Sequence, residues 1–170
     1  MNQRVTQFQV GNRLLVKKRY DEALQAFLAH AQEVPAEATR AYVQAAECLR
    51  RTNTLDAPVD VEPGVVLVSA GDRAGAAQLY RKALAIDPYY LPALRGLAQV
   101  LDPRSAELVQ TLEDAVGLKR DPLLVHMLGR IYEESGNALG AVALYRRALD
   151  DNPNSRDIGE ALQRAQQSLK

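Results

Sequence analysis

Side chains that could perform acid–base, nucleophilic or metal chemistry are few in this sequence. There are two histidines, His30 and His126, and one cysteine, Cys48. Neither histidine has a second histidine, a cysteine or a carboxylate at the spacing that zinc sites use. Cys48 falls in an apolar stripe of helical period, where a cysteine is a packing side chain rather than a nucleophile. We therefore predict no metal site and no thiol chemistry.

The carboxylate pairs do not suit catalysis either. Glu133-Glu134 and Asp150-Asp151 are adjacent in sequence, and neighbouring side chains on a helix point in different directions. The sequence contains neither a phosphate-binding loop nor a glycine-rich dinucleotide motif. We predict no catalytic residues, no cofactor and no enzymatic activity.

The composition of the chain argues against nucleic acids and membranes as binding partners. The chain has 170 residues, enough for one domain with a core, and carries 21 basic and 21 acidic residues. Zero net charge argues against nucleic-acid binding through counterion release and against attraction to an anionic membrane. The basic clusters Lys17-Lys18-Arg19 and Arg50-Arg51 are interpreted as solvated helix ends or faces. The apolar run Val65–Val68 is too short to span a bilayer, so we predict no membrane insertion.

The expected compartment is the cytoplasm. A single cysteine allows no internal disulfide. The opening residues MNQRVTQFQVGNR lack the apolar segment of a signal peptide. Both observations favour a reducing environment.

A spacing pattern recurs along the chain. In three stretches a small residue comes four positions before an aromatic residue, which comes eight positions before a proline. The three stretches are Ala23, Phe27 and Pro35; Ala76, Tyr80 and Pro88; and Ala141, Tyr145 and Pro153. Gly11 and Gly129 each lie 24 positions before the proline of their own stretch. A fixed pattern of this kind indicates repeated structural units.

The pattern resembles the tetratricopeptide repeat, in which aromatic-x2-Leu-Gly-x2-Tyr is followed by Ala-x3-Phe and then by Pro. The best copy is Val125-x2-Leu128-Gly129-x2-Tyr132, then Ala141-x3-Tyr145, then Pro153. No copy has tryptophan at the aromatic place, where Gln7, Ala41, Leu94 and Val125 stand instead. The resemblance implies units of about 34 residues, each a pair of antiparallel helices. His30 stands where the repeat has a small residue, so we predict a core or edge histidine.

The resemblance implies an all-α fold, a right-handed α-solenoid of about four repeats in a single domain over 1–170. The repeats are predicted at about 4–35, 36–51 together with 72–88, 89–121 and 122–153, followed by a C-terminal capping helix at 155–170 with a polar outer face. Gly136-Asn137 is expected to break the chain between two helices, and Pro153 to end the second. Close, nearly backbone-to-backbone helix contacts are predicted at Gly11, Ala76, Gly129, Ala141 and Ala148. Tyr132 and Tyr145 are expected to fill the space left between the helices.

An insertion at about 52–71 departs from the repeat. Val59-Asp60-Val61 alternates, Val65–Val68 is aliphatic, and Pro63-Gly64 lies between them. A β-hairpin, a short helix beginning at Pro63 and a disordered loop are all compatible with this pattern. The insertion either folds over a binding groove and adds a contact surface, or is a tolerated lengthening of a turn.

In the resembled family, the first helices of the repeats line a concave groove that holds an extended or helical peptide. The contact positions carried over to this sequence are Phe8, Asn12, Leu15, Tyr42, Ala46, Leu49, Arg95, Gln99, His126, Arg130 and Glu133. Phe8 stands where a clamp for a terminal carboxylate would need a lysine, so such a clamp is not predicted. Phe8, Leu15, Tyr42 and Leu49 make an apolar half of this lining, and Arg95, His126 and Arg130 make a more basic half. This division predicts a peptide that is apolar at one end and acidic at the other.

Two functions from different classes follow. The first is a protein–protein interaction scaffold that binds a partner peptide or segment in this groove. The alternative is a self-associating structural or assembly module, a weak homo-oligomer that uses the 59–68 insertion or an end face. An enzyme would require an ordered metal or a polar cavity, which the sequence does not indicate.

Overall fold

A computed structural model describes residues 5–52 and 72–169 of the chain, and the regular structure of these residues is helical throughout. The helices are α1 Gln7–Val16, α2 Tyr20–Glu33, α3 Ala38–Thr52, α4 Arg73–Ile86, α5 Leu91–Val100, α6 Ala106–Leu118, α7 Pro122–Glu134, α8 Ala138–Asp151 and α9 Arg156–Gln167, with a short 3-10 helix at Pro35–Glu37. The predicted all-α fold of paired helices is confirmed. The expectations for Val59–Val61 and Val65–Val68 lie outside the described residues.

The helices divide into two compact units, Met1–Val100 and Leu101–Lys170. In unit 1, α1 to α5 each pack on the next helix along the chain, and in unit 2 the same holds for α6 to α9. Short turns join the other packed neighbours into antiparallel pairs, whereas residues 53–71 lie between α3 and α4. The predicted third repeat, 89–121, contains one helix from each unit. The single domain over 1–170 and its repeat bounds stay predictions.

The turns use residues that tolerate unusual backbone angles or cap helices. Gly136, between α7 and α8, has a φ of +82°, in the left-handed region that glycine adopts without steric cost. The side chain of Asn137 then caps α8 by accepting a hydrogen bond from the Gly140 amide at 2.9 Å. The predicted break at Gly136-Asn137 is confirmed. Lys18, between α1 and α2, also has a positive φ, at 57°, although it carries a side chain.

Glycines on three helices make room for aromatic rings of the neighbouring helix. A Cβ atom added to Gly129 would lie 2.2 Å from Cζ of Tyr145, one added to Gly96 would lie 2.2 Å from Cζ of Tyr80, and one added to Gly11 would lie 2.7 Å from Cε1 of Phe27. These rings are buried. The Tyr145 ring fills the space beside Gly129, as predicted, and the Phe27 ring does the same beside Gly11, so that rings rather than backbones make the contact at these two glycines.

The small residues of the second helices are placed as the repeat requires. Ala76 and Ala141 are completely buried, whereas Ala148 is half-buried. Cys48 has no exposed surface, and burial, with the charge of Glu47 adding to it, raises the pKa of its thiol to about 12. The prediction of a packing cysteine is confirmed.

Helix α9 closes the C-terminal end of unit 2. It packs on α8 through Ile158, Ala161 and Ala165, which are buried. Its opposite face carries exposed Arg156 and Glu160, joined at 2.9 Å. This division matches the predicted capping helix, because the last element of a stacked helical array needs a polar outer face.

Candidate partner-binding faces

Two of the predicted contact residues lie in the core of unit 1. Phe8 is 6% exposed and meets the ring of Phe27 edge-on at a centroid distance of 5.2 Å. The guanidinium of Arg40, from α3, lies 4.5 Å from the centroid of the Phe8 ring and covers it. Ala46 has no exposed surface. Neither residue presents a free surface to a partner in this conformation.

The other predicted residues on α1 and α3 are accessible. Leu15, Tyr42 and Leu49 are half-buried, and Asn12 is exposed. The ammonium group of Lys82 lies 5.7 Å from the centroid of the Tyr42 ring, within the range of a cation–π contact. Unit 1 therefore offers partly exposed apolar side chains on its first helices.

Helices α3 and α5 enclose a pocket of about 440 Å³, which we call the α3/α5 pocket. Two predicted residues of α5, Arg95 and Gln99, line it and are exposed. Its other walls include Val43, Glu47, Arg50 and Arg51 of α3. The basic pair of α3 was interpreted from the sequence as a solvated helix end. The structure places it in a pocket beside Arg95.

A single carboxylate organises the α3 side of this pocket. Glu47 accepts two hydrogen bonds from Arg50, both at 2.8 Å, and one from Arg51 at 2.6 Å. Burial acts to raise the pKa of Glu47, but the hydrogen bonds and charges of the two arginines outweigh it and lower the pKa. Glu47 therefore remains ionised at neutral pH and holds both guanidinium groups at the pocket.

A buried tyrosine also lines the α3/α5 pocket. Tyr80 is 2% exposed, and its ring lies against Gly96 of α5. Burial, with the negative charge of Glu47 as a second cause, raises the pKa of the Tyr80 phenol to about 12. The hydroxyl group is therefore neutral throughout the physiological range.

In unit 2 the predicted residues lie on α7, and the charges around them are mixed. Arg130 is paired with Glu134 at 2.8 Å. Glu133 accepts a hydrogen bond from the hydroxyl of Tyr145 at 3.0 Å, and burial together with this bond raises the pKa of that tyrosine. His126 lines a pocket of about 320 Å³ whose α9 wall includes Asp157, Glu160 and Arg164. Carboxylates thus balance the basic groups that the sequence singled out here.

The other histidine, His30, lies in the core of unit 1. His30 is 2% exposed, as predicted for a core histidine, and its Nε2 lies 3.0 Å from Oε2 of Glu37. Among residues 5–52 and 72–169, no group of three or more His, Cys, Asp or Glu side chains could hold a metal ion. No helix within those two ranges combines the length and the apolar character needed to cross a membrane.

Comparison with known proteins shows a family match for one pair of helices, α7 and α8. Residues 124–155, which span most of α7 and all of α8, match the family model of the tetratricopeptide repeat. Over this pair of helices the chain is similar to a tetratricopeptide repeat. The fold of the whole chain is similar to the crystal structure of a thermophilic tetratricopeptide repeat protein from Thermus thermophilus, with a TM-score of 0.52 and 20% identity over 94% of this chain and 96% of that one. The comparison with curated proteins gave no significant match.

Tetratricopeptide repeats generally mediate protein–protein interaction or assembly, and their fold is typically a non-enzymatic scaffold. The sequence pattern located the helices α1, α3, α5 and α7, which carry the candidate contact residues. It missed the contribution of Glu47, Arg50 and Arg51, which do not occupy the contact positions of the repeat. A signal was present in their i, i+3 and i, i+4 spacing, which predicts one shared ion-pair cluster on a helix.

Proposed function

We propose that this repeat protein is an interaction scaffold that binds an extended or helical segment of a partner protein along the first helices of its repeats. The observation that supports this most directly is the surface of unit 1. Leu15, Tyr42 and Leu49 are only half-buried, while the aromatic rings of Phe27 and Tyr80 are fully used in the core. The proposal rests on the accessible predicted residues and not on the two that lie in the core.

Association would bury apolar surface that the folded chain leaves in contact with water. Each Å² of apolar surface removed from water contributes roughly 25 cal/mol, before the costs of association are subtracted. Tyr42 is the strongest anchor, because tyrosine buries a large area and loses few rotamers, and tyrosines are enriched among residues that dominate binding energy. The charged residues of α5, in the same unit, would set the orientation and specificity of the segment.

The proposal also assigns a compartment. We place the interaction in the cytoplasm, since the one cysteine of the sequence allows no internal disulfide and is buried as a thiol. No catalytic step is part of the proposed function.

A selection experiment tests the face of unit 1. Random peptides displayed on phage are selected on the immobilised full chain, and the strongest binders are synthesised for titration. Tyr42→Ala should weaken the titrated peptides by about tenfold or more, the usual range for a binding hot spot. Tyr89→Ala is the matched control, because Tyr89 is also partly exposed, at 36%, but lies between α4 and α5 rather than on a first helix.

The result has clear readings in either direction. Equal losses in the Tyr42→Ala and Tyr89→Ala proteins, or no loss in either, would reject the first-helix face of unit 1. Arg130→Glu tests the α7 face in the same assay, with Arg146→Glu on α8 as its charge-matched control. Circular dichroism must show unchanged helical content for every variant.

One observation favours self-association as a second candidate. The outer side of α1 and α2 forms an open depression of about 540 Å³, lined in part by Val10, Leu14, Ala26 and Ala29. Apolar end faces of helical repeats usually need a polar cap for solubility. Light scattering over a range of protein concentrations would show a dimer that Leu14→Glu abolishes. A monomer at every concentration would remove this candidate.

A further inference from the structure

Resting on the proposed function, we propose that the α3/α5 pocket binds an acidic side chain, aspartate or glutamate, of the partner segment. The pocket lies entirely within unit 1 and has a volume of about 440 Å³, which is ample for a carboxylate side chain and the peptide backbone that carries it. The guanidinium of Arg95 would bind this carboxylate, with the positive charges of Arg50 and Arg51 supporting it.

The charge of the pocket differs from that of the chain. The sequence has equal numbers of acidic and basic residues. Among the described residues that line this pocket, however, three carry guanidinium groups, Arg50, Arg51 and Arg95, and one carries a carboxylate, Glu47. An excess of positive charge in a concave site attracts an anionic group and raises its local concentration.

Arg95 is the donor that is open to a ligand. Arg50 and Arg51 already donate to Glu47, whereas Arg95 is exposed and makes no hydrogen bond or ion pair within the described part of the chain. A guanidinium has five N–H donors in a planar fork that matches the two oxygens of a carboxylate. A carboxylate placed against Arg95 would therefore form a charge-assisted pair without breaking an existing one.

Glu47 favours a carboxylate over a phosphate as the ligand. Its ionised side chain lines the same pocket, and repulsion from it grows with the charge of the incoming group. A carboxylate carries one negative charge, whereas a phosphoryl group carries about 1.5 to 2 at neutral pH. The apolar walls formed by Val43 and Leu91 would contact the aliphatic part of an aspartate or glutamate side chain, or an apolar neighbour in the segment.

Direct titration tests the proposal on the full chain. The probe is a fluorescein-labelled hexaglutamate peptide, acetylated and amidated at its ends so that only side-chain carboxylates are present, and binding is followed by fluorescence anisotropy at physiological salt. Removing a hydrogen bond to a charged group costs about 1.5–3 kcal/mol, so Arg95→Gln should raise the Kd about tenfold or more, and Arg95→Glu further. Arg146→Glu on α8, which does not line this pocket, should bind as the wild type does.

Each outcome decides the matter. Hexaglutamate binding that Arg95→Gln and Arg95→Glu both weaken, and that Arg146→Glu leaves unchanged, supports the carboxylate site. The site is rejected if the wild type does not bind hexaglutamate, or if the Arg95 variants bind it as well as the wild type does. It is also rejected if Arg146→Glu loses as much affinity as the Arg95 variants. A hexaglutamine peptide that binds equally well also overturns it, as does tighter binding of a matched phosphoserine peptide.

The two proposals can fail separately. The Tyr42→Ala selection experiment uses peptides of any charge and does not involve Arg95. If peptide capture depends on Tyr42 but the chain has no affinity for hexaglutamate, the interaction scaffold is retained and only the acidic contact is rejected.

Discussion

Substituting alanine for Gly129 adds one methyl group where α7 meets the ring of Tyr145. That methyl would lie 2.2 Å from both Cζ and Oη of the ring and 2.4 Å from Cε1. Carbon atoms in contact prefer separations of about 3.5–4.0 Å, so the ring must move by more than about 1 Å. Tyr145 has no exposed surface and donates a hydrogen bond to Glu133 at 3.0 Å. Movement of the ring would strain the packing around it and weaken this hydrogen bond.

The magnitude follows from opposing contributions. Alanine stabilises a helix interior by about 1 kcal/mol relative to glycine. Overpacking a filled core costs about 1–3 kcal/mol, and a weakened hydrogen bond to a charged group costs about 1 kcal/mol more when its acceptor is half-exposed, as Glu133 is. We expect Gly129→Ala to lower the free energy of unfolding by about 1–3 kcal/mol. Urea denaturation followed by far-UV circular dichroism measures this directly.

Two further proteins make the measurement decisive. Gly159→Ala, in α9, adds the same methyl where no atom lies within 4 Å, and should raise the free energy of unfolding by about 0.5–1 kcal/mol. Combining Gly129→Ala with Tyr145→Leu should cost less than the sum of the two single changes, because the smaller side chain vacates the contested space. A Gly129→Ala protein as stable as the wild type, or a strictly additive double variant, would refute the idea that the glycine accommodates the ring.

Three other predictions concern stability and reactivity. Lys18→Gly should raise the melting temperature and increase the free energy of unfolding by about 0.5–1 kcal/mol, because Lys18 has a φ of 57° that glycine adopts without strain. Lys17→Gly is the control, since Lys17 has a φ of −83° and should not gain stability. Equal effects of the two substitutions would contradict the explanation. Glu47→Gln should lower the free energy of unfolding by about 0.5–1 kcal/mol at neutral pH. Because the folded-state pKa of Glu47 is lowered, its contribution to stability is complete above the unfolded-state pKa and disappears as the pH falls through the folded-state pKa. The free energies of unfolding of the wild type and Glu47→Gln, measured by urea titration, should therefore converge in acid. A difference that stays constant with pH would contradict this role of Glu47. Cys48, with its raised pKa and no exposed surface, should react with a chromogenic thiol reagent only as fast as the chain unfolds, and rapid native-state labelling would contradict its burial.

Much of the helical organisation could be read from local features of the sequence. Gly136-Asn137 predicted a helix break, and the structure has a left-handed glycine followed by a capping asparagine there. The small–aromatic–proline spacing predicted paired helices, and Cys48 was predicted in the core. These inferences succeed because turn angles, caps and the helical period depend on residues a few positions apart.

The candidate binding surface depended on contacts that the repeat pattern does not contain. Phe8 holds a contact position of the repeat, yet Arg40 covers it. Tyr145 fills the space beside Gly129 as expected, but its ring keeps the two backbones apart.

The sequence by itself determined the helices, their breaks and the resemblance to the tetratricopeptide repeat, because each of these is encoded by short-range spacing. Only the tertiary structure decided which side chains remain accessible and that Arg95 shares a pocket with Arg50 and Arg51. More than 40 positions separate Arg95 from this pair. Such a separation is bridged by the packing of α3 on α4 and of α4 on α5, so the charge of the pocket is a property of helix packing rather than of any local pattern.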